Sequence, residues 1–192
     1  AANASRAYGA TNPVFTVSYN GFVNGDTISV LTGAPAVSTS ATTNSPVGTN
    51  AINVSIGTLS ATNGNYLFSF TNGTLTINSA ALGILADNRS KVYGQTATFA
   101  GSEFTASGLM NGNTVSSVTL TSSGSATNAS VSGSPYAINA TNAVGSGLSN
   151  YVINYVAGQM TVTAAGLTVA ADDTNRAYAT PNPQFTASYS GF

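Results

Sequence analysis

Residues 66–70 carry an aromatic side chain at every second position: Tyr66, Phe68 and Phe70 alternate with Leu67 and Ser69, and Asn72-Gly73 then leads into Leu75-Thr76-Ile77. Period-two alternation lines one face of a strand, and an Asn-Gly pair between two such runs predicts a hairpin closed by a type I′ turn. The pattern returns as an alternating run over 152–156, Ala157-Gly158, and a second run over 160–162. Alternating β-formers predict further strands over 15–19, 27–31, 36–40, 51–56, 114–120 and 136–140. Asn24-Gly25, Ser45-Pro46, Asn111-Gly112 and Ser134-Pro135 punctuate them. No stretch holds a helical period; at most 21–25 and 108–112 close a single helical turn. The expected fold is all-β, in tandem small sandwich- or grasp-like domains of about 85 residues arranged as a linear array.

The tandem arrangement rests on repetition. Residues 1–22 return as 171–192: Arg6, Tyr8, Asn12, Pro13, Phe15, Tyr19, Gly21 and Phe22 recur as Arg176, Tyr178, Asn182, Pro183, Phe185, Tyr189, Gly191 and Phe192 at a constant spacing of 170. That period halves, since Tyr8-Gly9 is matched by Tyr93-Gly94 at 85 and Tyr93 by Tyr178 at 85 again. Asn24-Gly25-Asp26 parallels Asn111-Gly112-Asn113 at 87, so small insertions fall in mid-unit. Two related but unlike units alternate, and the sequence divides into 1–80, 81–165 and 166–192. An apolar segment precedes Lys91-Tyr93 (81–86) and Arg176-Tyr178 (166–170), but nothing stands in that place ahead of Arg6-Tyr8. The first unit is therefore expected to lack its first strand, as in a window cut from a longer array. The preceding unit of a continuous chain would supply that strand, with donation by a separate subunit as the alternative.

Composition narrows the chemistry. Of 192 residues only 5% are charged, with a net charge of −1, so neither nucleic acid nor an anionic membrane surface is an expected partner. Ser, Thr and Asn supply the polarity, and a nearly uncharged surface favours association. Histidine and cysteine are absent, which removes disulfides, thiolate metal sites and the usual general bases and nucleophiles. No apolar run approaches the length of a membrane span and no signal peptide is visible at the start.

The motifs in this order resemble the MBG domain of bacterial surface proteins, in the type named for its Tyr-Gly-X motif. The resemblance is carried by Arg6-Ala7-Tyr8-Gly9, Lys91-Val92-Tyr93-Gly94 and Arg176-Ala177-Tyr178, by Asn12-Pro13-x-Phe15, by Gly21-Phe22-Val23-Asn24-Gly25-Asp26, and by the closing Asn65-Tyr66 and Asn72-Gly73-Thr74-Leu75-Thr76. The second unit departs from it, with Gln95-Thr96-Ala97 in place of the Asn-Pro signal and Asn113 in place of Asp26. The resemblance implies large secreted bacterial adhesins, often beside filamentous-haemagglutinin-like secretion domains. There such units serve as stalk or matrix modules without catalysis or cofactor, at the cell surface, in biofilm matrix and cell adhesion. Neighbouring copies of the repeat, in the same or adjacent chains, are the expected partners, with surface glycan or matrix polysaccharide as a second class.

Candidate residues follow the repeat. Arg6, Lys91 and Arg176 share one position, with Asp87 and Asp172 four residues ahead of two of them. A local ion pair, or the cation lying over the neighbouring tyrosine, is expected there, against a ligand-facing cation. Tyr8, Tyr93 and Tyr178 are expected to anchor each unit by packing, and an aromatic sugar platform is the competing reading. Asn24, Gly25, Asn111, Gly112, Asn72, Gly73, Ala157 and Gly158 are expected turn residues. The adjacent Asp172 and Asp173 are a candidate ion site at a joint between units, although calcium wants several clustered carboxylates. Lys91 is the sole lysine, so a repeating Lys–Asn isopeptide bond is not expected.

Overall fold

The computed structural model describes residues 1–191, and Phe192, one of the matched repeat residues, lies outside them. The chain is all-β, and among the described residues helix is confined to four three-residue 3₁₀ turns. The first repeat contributes β1 (Ala4–Ala7), β2 (Leu31–Thr32), β3 (Ala36–Ser38), β4 (Gly48–Ser55), β5 (Ser60–Ala61) and β6 (Gly73–Asn78). The second contributes β7 (Ala80–Ala86), β8 (Arg89–Val92), β9 (Phe104–Ser107), β10 (Val115–Thr121), β11 (Tyr136–Gly145), β12 (Tyr151–Val156) and β13 (Gly158–Thr163). β14 (Thr168–Ala171) and β15 (Ala187–Ser190) follow.

Each repeat builds one four-stranded sheet with the same order. In the first it is β1-β6-β4-β3, and in the second β8-β13-β11-β10. The strand opening each repeat lies parallel to the strand closing it, Arg6 opposite Ile77 and Lys91 opposite Val162, so both repeats are tied end to end in the same register. β6 and β13 alternate strictly between buried and more open positions. Their inward side chains, Leu75, Ile77, Met160 and Val162, form the cores with Ile52 of β4 and Ile138 of β11. A further sheet has the order β12-β7-β9. Its central strand buries Ala80, Leu82, Ile84 and Ala86, the alternation expected of a strand with one face on a core. By compactness the chain falls into two units, one of Ala1–Ile84, Ala106–Ser117 and Ala143–Asn154, the other of Leu85–Thr105, Val118–Asn142 and the residues from Tyr155 onward. The first repeat thus shares a compact unit with three segments of the second, the start of β7 among them.

Three local expectations are corrected. The runs on either side of Asn72-Gly73 and of Ala157-Gly158 do not fold back as hairpins: β12 and β13 belong to different sheets, and residues 65–72 form no strand. Neither Gly73 nor Gly158 has a positive φ. Glycine is required there because another backbone approaches closely. A Cβ on Gly73 would lie 2.6 Å from the Ala2 carbonyl oxygen, and one on Gly158 would overlap that of Ala86. Asn72 accepts from the Val54 N–H at 3.0 Å and donates to Asn53 Oδ1 at 3.1 Å, which ties the entry into β6 to β4. The type I′ turns sit instead at Asn24-Gly25 and Asn111-Gly112, expected turn residues within the segments where at most a single helical turn was allowed. Asn24 and Gly25 have φ of 56° and 81°, Asn111 and Gly112 of 56° and 72°, and the closing bonds Asp26 N–H to Val23 O and Asn113 N–H to Met110 O are both 3.0 Å. Residues 15–19 keep their alternation, with Phe15, Val17 and Tyr19 half-buried, but join no ladder.

Candidate functional site

Tyr8 follows directly from β1, its N–H donating to Asn78 O at 2.8 Å, and Gly9 at φ 79° turns the chain behind it. The side chain is only 4% exposed. Its ring meets the Tyr151 ring edge-on, centroids 5.5 Å apart at 80°. Asn113 Nδ2 donates to the Tyr8 hydroxyl at 3.0 Å and to the Tyr151 hydroxyl at 3.1 Å, and the Met110 N–H donates to Tyr151 at 2.8 Å. All of these residues lie in the first compact unit. The tyrosine of one repeat is thus seated on the Asn-Gly turn and the start of β12 of the next. Two more bonds flank it: Asn111 Nδ2 donates to Thr43 O and the Val47 N–H to Asn150 Oδ1, each at 2.9 Å. Gly9 is closed in by the same turn, since a Cβ there would overlap Met110 Sδ.

A matching socket is built within the first repeat. The Tyr66 hydroxyl donates to Asp26 Oδ2 at 2.7 Å and accepts from the Val23 N–H at 3.3 Å, with the Phe22 ring edge-on to Tyr66 at 5.8 Å. The Asp26 carboxylate replaces the amide of Asn113, and its hydrogen bond holds the Tyr66 hydroxyl above the usual tyrosine range. The other two Tyr-Gly-type positions are open: Tyr93 is 47% and Tyr178 99% exposed. Asn113, Tyr151, Met110 and Asn150 were not candidates from sequence. The signal was present in the recurrence of Tyr66 as Tyr151 and of Asp26 as Asn113, a polar residue closing each Asn-Gly turn.

The repeat-position cations are not ion-paired as expected. Among the described residues the salt bridge is Arg89–Glu103 at 2.9 Å, and the cation over a ring is Arg89 above Phe99 at 5.8 Å. Arg6 and Lys91 occupy inward positions of β1 and β8 and are 7% exposed. Backbone carbonyls take the place of carboxylates. Arg6 donates to Ala7 O at 3.1 Å, to Thr42 O, and to Asn12 Oδ1 at 2.7 Å, while Asn12 Nδ2 reaches Ala41 O at 2.7 Å. Lys91 Nζ donates to Gln95 O at 2.7 Å and to Ala126 O. The exposed Arg176 keeps the near bond, to Thr180 O at 2.8 Å. These cations staple loops from within. Lys91→Met is expected to cost about 1–3 kcal/mol by orphaning two carbonyls, and Lys91→Arg much less, measured by urea unfolding.

Glu103 gathers the backbone N–H groups of Ala100, Gly101 and Ser102 at 2.9–3.2 Å. Those bonds, the Ala100 bond foremost, and the Arg89 charge hold its carboxyl below the ordinary glutamate range. A carboxyl with a lowered folded-state pKa stabilises the fold fully above the unfolded-state pKa, and that contribution disappears as pH falls through the folded value. Acid titration of urea stability should therefore show a loss that Glu103→Gln removes.

Asp172 and Asp173 are exposed, and Asp172 Oδ2 accepts from Thr186 Oγ1 at 2.7 Å. No group of three acidic, histidine or cysteine residues stands together among the described residues, so the pair gains no third ligand. Among the described residues no helix is long and apolar enough to cross a membrane.

No curated protein and no solved structure matches the chain. The family model of the MBG domain (YGX type) matches residues 1–76 and again 82–161. MBG domains form a repeat family of surface adhesin-like proteins and are in general structural and non-catalytic. The Tyr-Gly pair of the first match is the pair seated between repeats. Matched over most of its length, the chain belongs to the MBG-domain family, YGX type, and carries two tandem copies.

Proposed function

We propose that this chain is a structural segment of a giant extracellular bacterial adhesin or filament, serving as a stalk and in cell–cell or matrix cohesion, without catalysis. The observation that carries this reading is the seat of Tyr8 against Asn113 and Tyr151, which spends the family's signature motif on docking one repeat to the next. The joint is made of phenol, amide and thioether groups, which pack and hydrogen-bond but activate nothing. Neighbouring copies of the repeat are its partners. Few charges and no histidine or cysteine agree with a mechanical role. A glycan- or protein-binding module is the second reading, favoured by the groove that Tyr19, Phe22, Phe68 and Phe70 help to line in the first repeat.

Arrays of the 170-residue period at increasing copy number separate the two. In a stalk each added repeat adds one joint, so thermal stability should rise with copy number before levelling off. The 192-residue chain should pass immobilised glycans unretained. Saturable glycan binding, with stability indifferent to copy number, would move the role from cohesion to recognition.

A further inference from the structure

Two-electron oxidants find few targets in this chain. It has no cysteine, tryptophan or histidine, and two methionines, Met110 and Met160. Met160 points into the core from β13 and is fully buried, whereas Met110 is 40% exposed. A dissolved oxidant must reach the sulfur, so the two thioethers differ sharply in susceptibility. Tyrosines yield to one-electron radicals rather than to peroxides. Peroxide chemistry on the folded chain therefore converges on Met110.

Met110 lies at the junction between the repeats. Its N–H donates to the Tyr151 hydroxyl at 2.8 Å, and that hydroxyl reaches Met110 O at 3.3 Å. The same carbonyl closes the turn by accepting from the Asn113 N–H at 3.0 Å. The side chain crosses Gly9, next to Tyr8: a Cβ on Gly9 would lie 3.0 Å from Met110 Cβ and 3.1 Å from Cγ, and would overlap Sδ. The sulfur therefore has no free space on its Gly9 side. All of these residues belong to one compact unit. In the Asn24-Gly25 turn the equivalent place is taken by Val23, whose N–H meets the Tyr66 hydroxyl at 3.3 Å in the same way. Two turns of one design thus differ in what an oxidant can attack, since one carries sulfur and the other does not.

We propose that Met110 is an oxidation site whose conversion to the sulfoxide loosens the joint between the repeats. The oxygen donor is hydrogen peroxide or a related two-electron oxidant. The sulfur lone pair attacks one peroxide oxygen, the O–O bond breaks and an S–O bond forms. The proton of the transferred hydroxyl passes to the departing hydroxide, which leaves as water. Sulfur gives up two electrons and the peroxide accepts them. The product is bulkier and carries a strong dipole where the parent made a soft, apolar contact. With Gly9 packed against the sulfur, the side chain must leave Gly9 or the turn must move from Tyr8. Either displacement strains the bond by which the Asn113 amide holds the Tyr8 hydroxyl. The inference needs only the joint and does not rest on the surface role proposed above.

Treating the folded 192-residue chain with dilute hydrogen peroxide, followed by peptide mass spectrometry, tests it. Met110 should gain one oxygen atom while Met160 gains none. The oxidised chain should melt at a lower temperature. The Val47 amide, which donates across the joint to Asn150 Oδ1, should exchange its hydrogen faster. Methionine sulfoxide reductase should restore both properties. Met110→Val, the residue that the first repeat carries at this place, should melt at the same temperature with and without peroxide. Met160 oxidised as readily as Met110 overturns the proposal, as does a Met110 sulfoxide that leaves melting and Val47 exchange unchanged. So does a Met110→Val chain that peroxide destabilises as much as the parent.

Discussion

Replacing Tyr8 with alanine is expected to lower the stability of the first compact unit by about 3–5 kcal/mol, the usual range for emptying a buried aromatic site. The same change at Tyr178 is expected to stay within about 0.5 kcal/mol, as for exposed positions generally. The two tyrosines occupy one repeat position, but Tyr8 is 4% exposed and Tyr178 99%. Tyr8→Ala removes the edge-on contact with Tyr151 and leaves Asn113 Nδ2 with one of its two phenol partners. Tyr8→Phe keeps the ring and drops only the hydroxyl, so it should fall near the value of a single hydrogen bond, about 1 kcal/mol. Urea unfolding of the three variants checks the order. Equal losses at Tyr8 and Tyr178 would mean that the seat contributes nothing and that tyrosine serves only within its own repeat.

Gly9→Ala should be the more damaging of two formally identical substitutions. Gly9 and Gly94 both hold a left-handed φ, 79° and 88°, which alone penalises alanine by about 1–2 kcal/mol. A Cβ on Gly94 would meet nothing within 4 Å, whereas on Gly9 it would overlap Met110 Sδ and lie 3.0 Å from Met110 Cβ. Overpacking of that kind adds about 1–3 kcal/mol. Truncating the neighbour, as Gly9→Ala/Met110→Ala, should recover most of the difference between the two sites. Because Met110 belongs to the second repeat, the recovered part measures coupling between repeats, and thermal unfolding of all four variants closes the cycle. No recovery would place the whole penalty in the backbone.

The legible and illegible parts of the fold differ in range. Alternation along 73–78 and 158–163 told which side chains of β6 and β13 turn inward, because a strand's two-residue period is a local property. Asn24-Gly25 and Asn111-Gly112 were legible as turns, but the same pair at 72–73 was read as a hairpin turn that it does not form. A dipeptide states which φ values it tolerates; whether the chain then folds back or crosses to another sheet depends on partners such as Ala2, about seventy residues away. The cations misled for the same reason. Asp87 is near Lys91 in sequence, but an inward position on β8 turns Lys91 toward carbonyls such as Ala126 O, as the matching position on β1 turns Arg6 toward Thr42 O. Four residues of separation measures nothing across a sheet.

The sequence by itself determined that this protein is all-β, that it repeats every 85 residues, and that it belongs with MBG domains, since composition, alternation and motif order all survive without coordinates. Only the tertiary structure decided what the repeating tyrosine does. Tyr8, Tyr93 and Tyr178 are alike as letters and unlike in place, because burial depends on whether an Asn113–Tyr151 pair arrives from another part of the chain to cover the ring. The same holds for the segments 17–20, 104–107 and 187–190: they share a pattern, yet only the last two are strands, because a strand needs a second backbone to satisfy its amides and local pattern does not state which segments are paired.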